Sequence, residues 1–140
     1  MKHLFLASLL SLATLASHAQ TSTPVKVPAQ AITQLENLKE LTKAEVVKAG
    51  KATKAHAEVR PDLNRYLVIS ADDFLRVTKE QPTKESYLKC LDNGLARVAP
   101  LTANATDRKQ VAEYFQDLME IVGLESSEGR LDTFVASAAK

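Results

Sequence analysis

The sequence predicts an all-α fold, a small single-domain bundle of four to six amphipathic helices. Three observations predict it. Apolar residues recur every three or four positions through the second half of the chain. Prolines at 61, 82 and 100 cut the chain after residue 30 into blocks of helical length. The 140 residues, 45% hydrophobic and 25% charged, suit one soluble domain.

Residues 1–19 read as a signal peptide. Lys2 and His3 form a short positive region, Leu4 to Leu15 an apolar run, and Ser17 and Ala19 the small residues before a cleavage point at Gln20. The apolar run is too short to cross a bilayer core of roughly 30 Å as a helix. The chain is therefore expected to be exported, periplasmic or secreted, with no membrane anchor. Residues 20–30 read as an extended linker carrying Pro24 and Pro28, and residues 31–140 as the helical domain.

Within that domain, Thr33 and Glu36 have capping-box spacing, and Ile32, Leu35, Leu38 and Leu41 follow at three-residue intervals before Val46 and Val47. Gly50 either ends this helix or is passed through; beyond it Ala52, Ala55, His56 and Val59 share a narrow face. Asp62 to Glu80 contains a β-favouring run, Tyr66 to Ile69, but Leu63, Leu67, Phe74 and Thr78 share a helical face. The block reads as helical, with Ser70 and Asp73 placed to cap a second short helix.

Thr83 is the expected N-cap of the third block, whose seam is Leu88, Leu91, Leu95 and Val98. Gly94 lies beside that seam, where its missing side chain permits a close helix approach. Thr106 is the expected cap of the fourth block, which presents Val111, Tyr114, Phe115, Leu118, Ile121 and Val122 on one face. Gly123 followed by Leu124 is the signature of a Schellman stop. Ser126 or Ser127 is then placed to cap a last helix that buries Leu131, Phe134, Val135 and Ala138.

Composition narrows the function. With 18 basic and 17 acidic residues, the net charge is +1, which argues against a nucleic-acid partner. The charge is unevenly spread: residues 26–60 hold seven basic and four acidic side chains, residues 107–140 four basic and seven acidic. One Cys permits neither an internal disulfide nor a multi-cysteine metal site, and neither a metal nor a cofactor is expected. With three Tyr, four Phe and no Trp, stacking platforms are scarce.

Few residues invite chemistry. His56 has no ligand-type residue at helical spacing and fits a partly buried place on an Ala/Val stripe. Cys90 lies about 120° from the centre of the third seam, a boundary position that leaves it available for an intermolecular disulfide. Glu113, Asp117 and Glu120 form an acidic stripe, and Glu125 and Glu128 flank Ser126 and Ser127; solvation and helix capping explain both sets. The Lys43, Lys48, Lys51 and Lys54 series reads as a solvated face. Asn104-Ala105-Thr106 matches a glycosylation sequon, a short pattern that also arises by chance.

One stretch resembles a known family. It runs from Thr83 to Val135 and includes Tyr87-Leu88, Asp92-Asn93-Gly94-Leu95-Ala96-Arg97, Thr106-Asp107-Arg108, and Tyr114 through Gly129. It resembles a family of small bacterial proteins grouped as a domain of unknown function. The resemblance implies a helical fold and transfers no catalytic or binding residue.

The expectation for function is a non-enzymatic binding or inhibitor-type module that contacts another exported protein. The rivals are a small hydrolase using Glu113, Asp117, Glu120 or Glu125, and a carrier of a small apolar ligand between helices. A concave pocket with two convergent carboxylates separates the first rival, and a dry apolar cavity the second.

Overall fold

The computed structural model describes residues 21–51 and 60–138, with side chains described for 21–44 and 60–138. Five α-helices follow in order: α1 (Ala31–Lys51), α2 (Pro61–Glu80), α3 (Lys84–Val98), α4 (Ala105–Val122) and α5 (Arg130–Ala136), with a 3-10 turn at Ala99–Leu101. Among the described residues there is no β-strand, only one isolated bridge, and no helix long and apolar enough to cross a membrane. The all-α expectation holds. The expected signal peptide, His56 and Lys54 lie outside the described residues, as do the side chains of Val46, Val47, Lys48 and Lys51.

Helices α1 and α2 run antiparallel: Glu36 pairs with Lys79 at 3.5 Å and Lys39 with Asp72 at 2.9 Å, one number rising as the other falls. α3 returns along α2 in the same manner, through Thr78 to Tyr87 and Asp73 to Arg97. α4 lies across α1 and α2, and α5 folds back onto α4 and α3. Phe74, Tyr87, Leu91, Phe115, Leu118 and Val122 are fully buried between these layers. The Phe74 and Tyr87 rings stack tilted at 5.5 Å, and the Tyr87 hydroxyl finds its partner in Thr78 at 2.7 Å.

The first helix corrects the sequence reading twice. It begins at Ala31, whose N–H bonds to Pro28 O, so Thr33 is inside the first turn rather than the cap. The inward face is Ala31, Leu35, Leu38 and Thr42, while Ile32 is 38% exposed and Leu41 65%. Three-residue steps drift about 60° each, so Ile32 and Leu41 end about 180° apart and cannot share a face. Only the middle pair, Leu35 and Leu38, stays inside. The helix continues through Gly50.

α2 is one unbroken helix, and Leu67 and Phe74 are buried as the helical face requires. Ser70 caps nothing; its hydroxyl donates to Tyr66 O at 2.9 Å, which satisfies a buried polar group inside the helix. The β-favouring run Tyr66–Ile69 is overridden within a helix that packs against both α1 and α3, and the Tyr114 hydroxyl of α4 donates to Leu67 O at 3.3 Å.

α3 starts as expected, with Thr83 accepting from Ser86 N. α4 starts at Ala105 because Asn104, not Thr106, holds the extended cap conformation and accepts from Asp107 N at 2.8 Å. Its C-terminus is the expected Schellman stop: Gly123 has φ +75°, its N–H bonds to Glu120 O, and Leu124 N–H bonds to Met119 O. The last helix begins at Arg130 rather than directly after a Ser cap. Glu128 and Gly129 both take positive φ, so the chain turns left-handed for two residues before it can enter a helix.

The segment expected as a linker is extended and bonded to the helices. Val25 N–H donates to Pro82 O and Lys84 N–H to Thr23 O, both at 2.8 Å, while Thr23 N–H donates to Glu85 Oε2 at 2.8 Å. Val25 and Val27 pack on the core. Pro24 occupies the intervening, outward-facing position of this strap, where a residue with an N–H would leave it unpaired.

Candidate functional site

The strap and the C-terminus of α4 meet at one corner of the bundle. The strap enters over the α2–α3 turn and passes the C-terminus of α4. Lys26 O lies 3.0 Å from where a Cβ on Gly123 would be, so the glycine that ends α4 also admits the strap. Between strap, α3 and the α4–α5 connection opens a cleft of about 910 Å³, lined by Pro24, Val25, Lys26, Lys84, Gln116, Glu120, Leu124, Glu125 and Ser126 among others. Apolar strap residues and Leu124 make its floor, and charged side chains its rim.

The rim charges differ in how they are held. Lys84 is ion-paired with Glu128, whose carboxyl is held below the usual carboxylate range by that lysine and by Arg130. Glu120 accepts from Gln116 at 3.2 Å. Lys26 and Glu125 are exposed, and among the described residues neither makes an ion pair. Among the described residues the cleft thus presents Lys26 and Glu125 to an incoming molecule without ion-pair partners, beside Glu120, which meets only the neutral Gln116 amide.

The expected chemistry is mostly dispersed. Glu113, Asp117 and Glu120 lie exposed along α4; burial and then its two acidic neighbours push the Asp117 carboxyl up. Of the four acids named for a hydrolase, Glu120 and Glu125 line the same cleft, and Glu113 and Asp117 do not. Asp92 and Glu128 both converge on Arg130, which holds them. Among the described residues no three His, Cys, Asp or Glu side chains gather as a cation site. Lys43 pairs with Glu40. Asn104 of the sequon is occupied as a cap, accepting from Asp107 N–H and donating to its carboxylate at 3.0 Å.

Cys90 corrects the expectation of a boundary position. It is 5% exposed, and burial, ahead of the nearby Asp73 carboxylate, pushes its thiol pKa up. α3 is covered by α2 on one side and by α4 and α5 on the other, so its buried arc includes Tyr87, Cys90 and Gly94 beside the leucine seam. A seam predicts the centre of the buried arc, and a second packing partner widens it.

Lys26 and Lys84 carry the cleft but drew no notice in the sequence. Lys84 had a signal: a cation in the first turn of a helix opposes the macrodipole and implies a specific anionic partner. Lys26 had none, because only the docked strap places it on the same cleft as Glu125.

The model of one protein family, described as a domain of unknown function (DUF4844), matches residues 26–139. The match therefore reaches well beyond the Thr83–Val135 stretch that carries the resemblance in sequence, and takes in the end of the strap from Lys26, α1 and α2. No curated protein and no solved structure matches the chain.

Proposed function

The chain belongs to the DUF4844 family, a domain of unknown function, and from the geometry of the strap cleft we propose that it is an exported binding module that engages another protein. One observation carries the reading: the cleft of about 910 Å³ rimmed by unpaired Lys26 and Glu125. Side chains of both signs over an apolar floor suit a polypeptide loop, which brings its own mixed charges and some apolar surface. A purely apolar ligand would leave both charges desolvated without partners.

Charge reversal tests the proposal. Affinity capture from the native exported fraction is expected to recover a partner with the unaltered protein and to lose it with Lys26→Glu plus Glu125→Lys. Both residues are exposed, so thermal melting is expected to stay unchanged. Recovery that is indifferent to the reversal would overturn the reading.

Glu120 and Glu125 sharing the cleft favour the hydrolase as a second reading. Turnover of an ester or cell-wall substrate, abolished by Glu120→Gln or Glu125→Gln, would replace the binding module with an enzyme.

A further inference from the structure

Beyond the strap cleft and independent of it, we propose that the groove between α3 and α5 binds a carboxylate with an adjoining apolar body, and that Arg108 receives the carboxylate. The groove measures about 710 Å³. Leu95 and Ala96 of α3, Ala99 of the 3-10 turn and Phe134 of α5 give it an apolar floor; Thr133 and Ser137 supply hydroxyls at its rim. Its volume falls within the range of small-ligand sites.

Arg108 is the distinctive group. Arg60, Arg76, Arg97 and Arg130 each meet a carboxylate; Arg65 is exposed beside the Tyr66 ring and meets none, and among the described residues neither does Arg108. It is nevertheless half-buried and firmly held. Its Nε–H donates to Thr102 O at 2.7 Å, and its Nη1 donates to Phe134 O at 2.9 Å and to Ser137 Oγ at 2.5 Å. The guanidinium carbon sits 4.7 Å from the centre of the Phe134 ring.

These bonds fix the plane of the cation and cap one carbonyl in the last turn of α5, that of Phe134, yet they deliver no negative charge. Nη2 keeps two N–H donors that meet no acceptor among the described residues. A pre-positioned, partly desolvated guanidinium with donors in reserve gains most from a carboxylate, whose charge-assisted hydrogen bonds exceed those to neutral acceptors. At the far end of the groove the charges are already balanced, because Arg130 holds Asp92 and Glu128 while Lys84, from outside the groove, also pairs with Glu128. One net positive charge thus remains for the ligand, next to an apolar floor. That pairing selects a monoanion with a short aliphatic or aryl part over a bare inorganic anion.

The test uses hexanoate as the probe, with ¹⁵N-detected shifts of the Arg108 Nε–H and of the amides lining the groove. Saturable shifts with a Kd on the order of 1 mM are expected, and 1-hexanol and chloride are expected to give none at equal concentration. Thr133→Asp places a competing carboxylate at an exposed rim position and is expected to weaken hexanoate roughly tenfold or more with melting unchanged. That variant keeps the test decisive if Arg108→Lys fails to fold. An acetylated tetra-alanine with a free C-terminus, beside its C-terminal amide, distinguishes the two sources of carboxylate. Tighter binding of the peptide acid than of hexanoate, with the amide inert, would assign the site to a polypeptide C-terminus; the reverse order would assign it to a free organic acid. Absence of saturable shifts, equal binding of hexanol, or indifference to Thr133→Asp would overturn the proposal.

Discussion

Gly94 on α3 lies so close to Phe115 on α4 that an added Cβ would sit 2.6 Å from two carbons of the ring and 2.8 Å from Ser70 Oγ on α2. One missing side chain therefore sets the approach of three helices. Phe115 is fully buried, so its ring has nowhere to retreat. Gly94→Ala gains roughly 1 kcal/mol of helix propensity but overpacks a closed site at a cost of about 1–3 kcal/mol. The clash wins, and net destabilisation of up to about 2 kcal/mol is expected in urea unfolding. Gly94→Ala as stable as the parent would show that the three helices separate easily.

The strap is predicted to contribute to stability through Gly123. Gly123→Ala meets two obstacles, a φ of +75° and the Lys26 carbonyl 3.0 Å from the new Cβ. Gly129→Ala meets only the first, its φ of +80°, since nothing lies within 4 Å of the added atom. The left-handed conformation alone costs about 1–2 kcal/mol, so Gly123→Ala should be the more damaging of the two. It should also speed hydrogen exchange at the Val25 N–H, which Gly129→Ala should leave unchanged.

Cys90 should behave as a core residue. Native protein is expected to resist thiol-labelling reagents and to run as a monomer on non-reducing gels, with labelling complete only in denaturant. Cys90→Ser introduces a hydroxyl at a 5% exposed position and should cost about 1–3 kcal/mol. Rapid labelling of the native protein would place the thiol at the surface after all.

Acid should loosen the contacts that α3 makes with the strap and with the α4–α5 connection. Lys84 first, then Arg130, holds the Glu128 carboxyl below the usual carboxylate range, and the Thr23 amide does the same for Glu85. Carboxylates lowered on folding stabilise above their unfolded pKa, and that stability is lost as pH falls through the folded value. Asp117 has the opposite sign: burial raises it, so its share is lost as pH rises. Unfolding midpoints measured from about pH 7 down to about pH 3 should fall, and Glu128→Gln should fall less steeply. An identical acid limb in Glu128→Gln would remove Glu128 from this effect.

Local chemistry made much of this protein legible in its sequence. The Thr83 cap, the Leu88/Leu91/Leu95/Val98 seam, the close approach at Gly94 and the Gly123–Leu124 stop each depend on residues a few positions apart in one helix. Short-range hydrogen bonds and a 3.6-residue period suffice to specify them. Tertiary structure decided the rest. Which half of the α1 stripe turns inward, how far burial spreads round α3 to Cys90, and whether Thr23–Val27 hangs free or docks depend on what covers each element. The cleft joining Lys26 to Glu125 and the groove around Arg108 have the same origin, since their members are far apart in sequence. Periodicity marks a face but not the number of neighbours that cover it, and a polar side chain takes its charge environment from elements that only folding brings beside it.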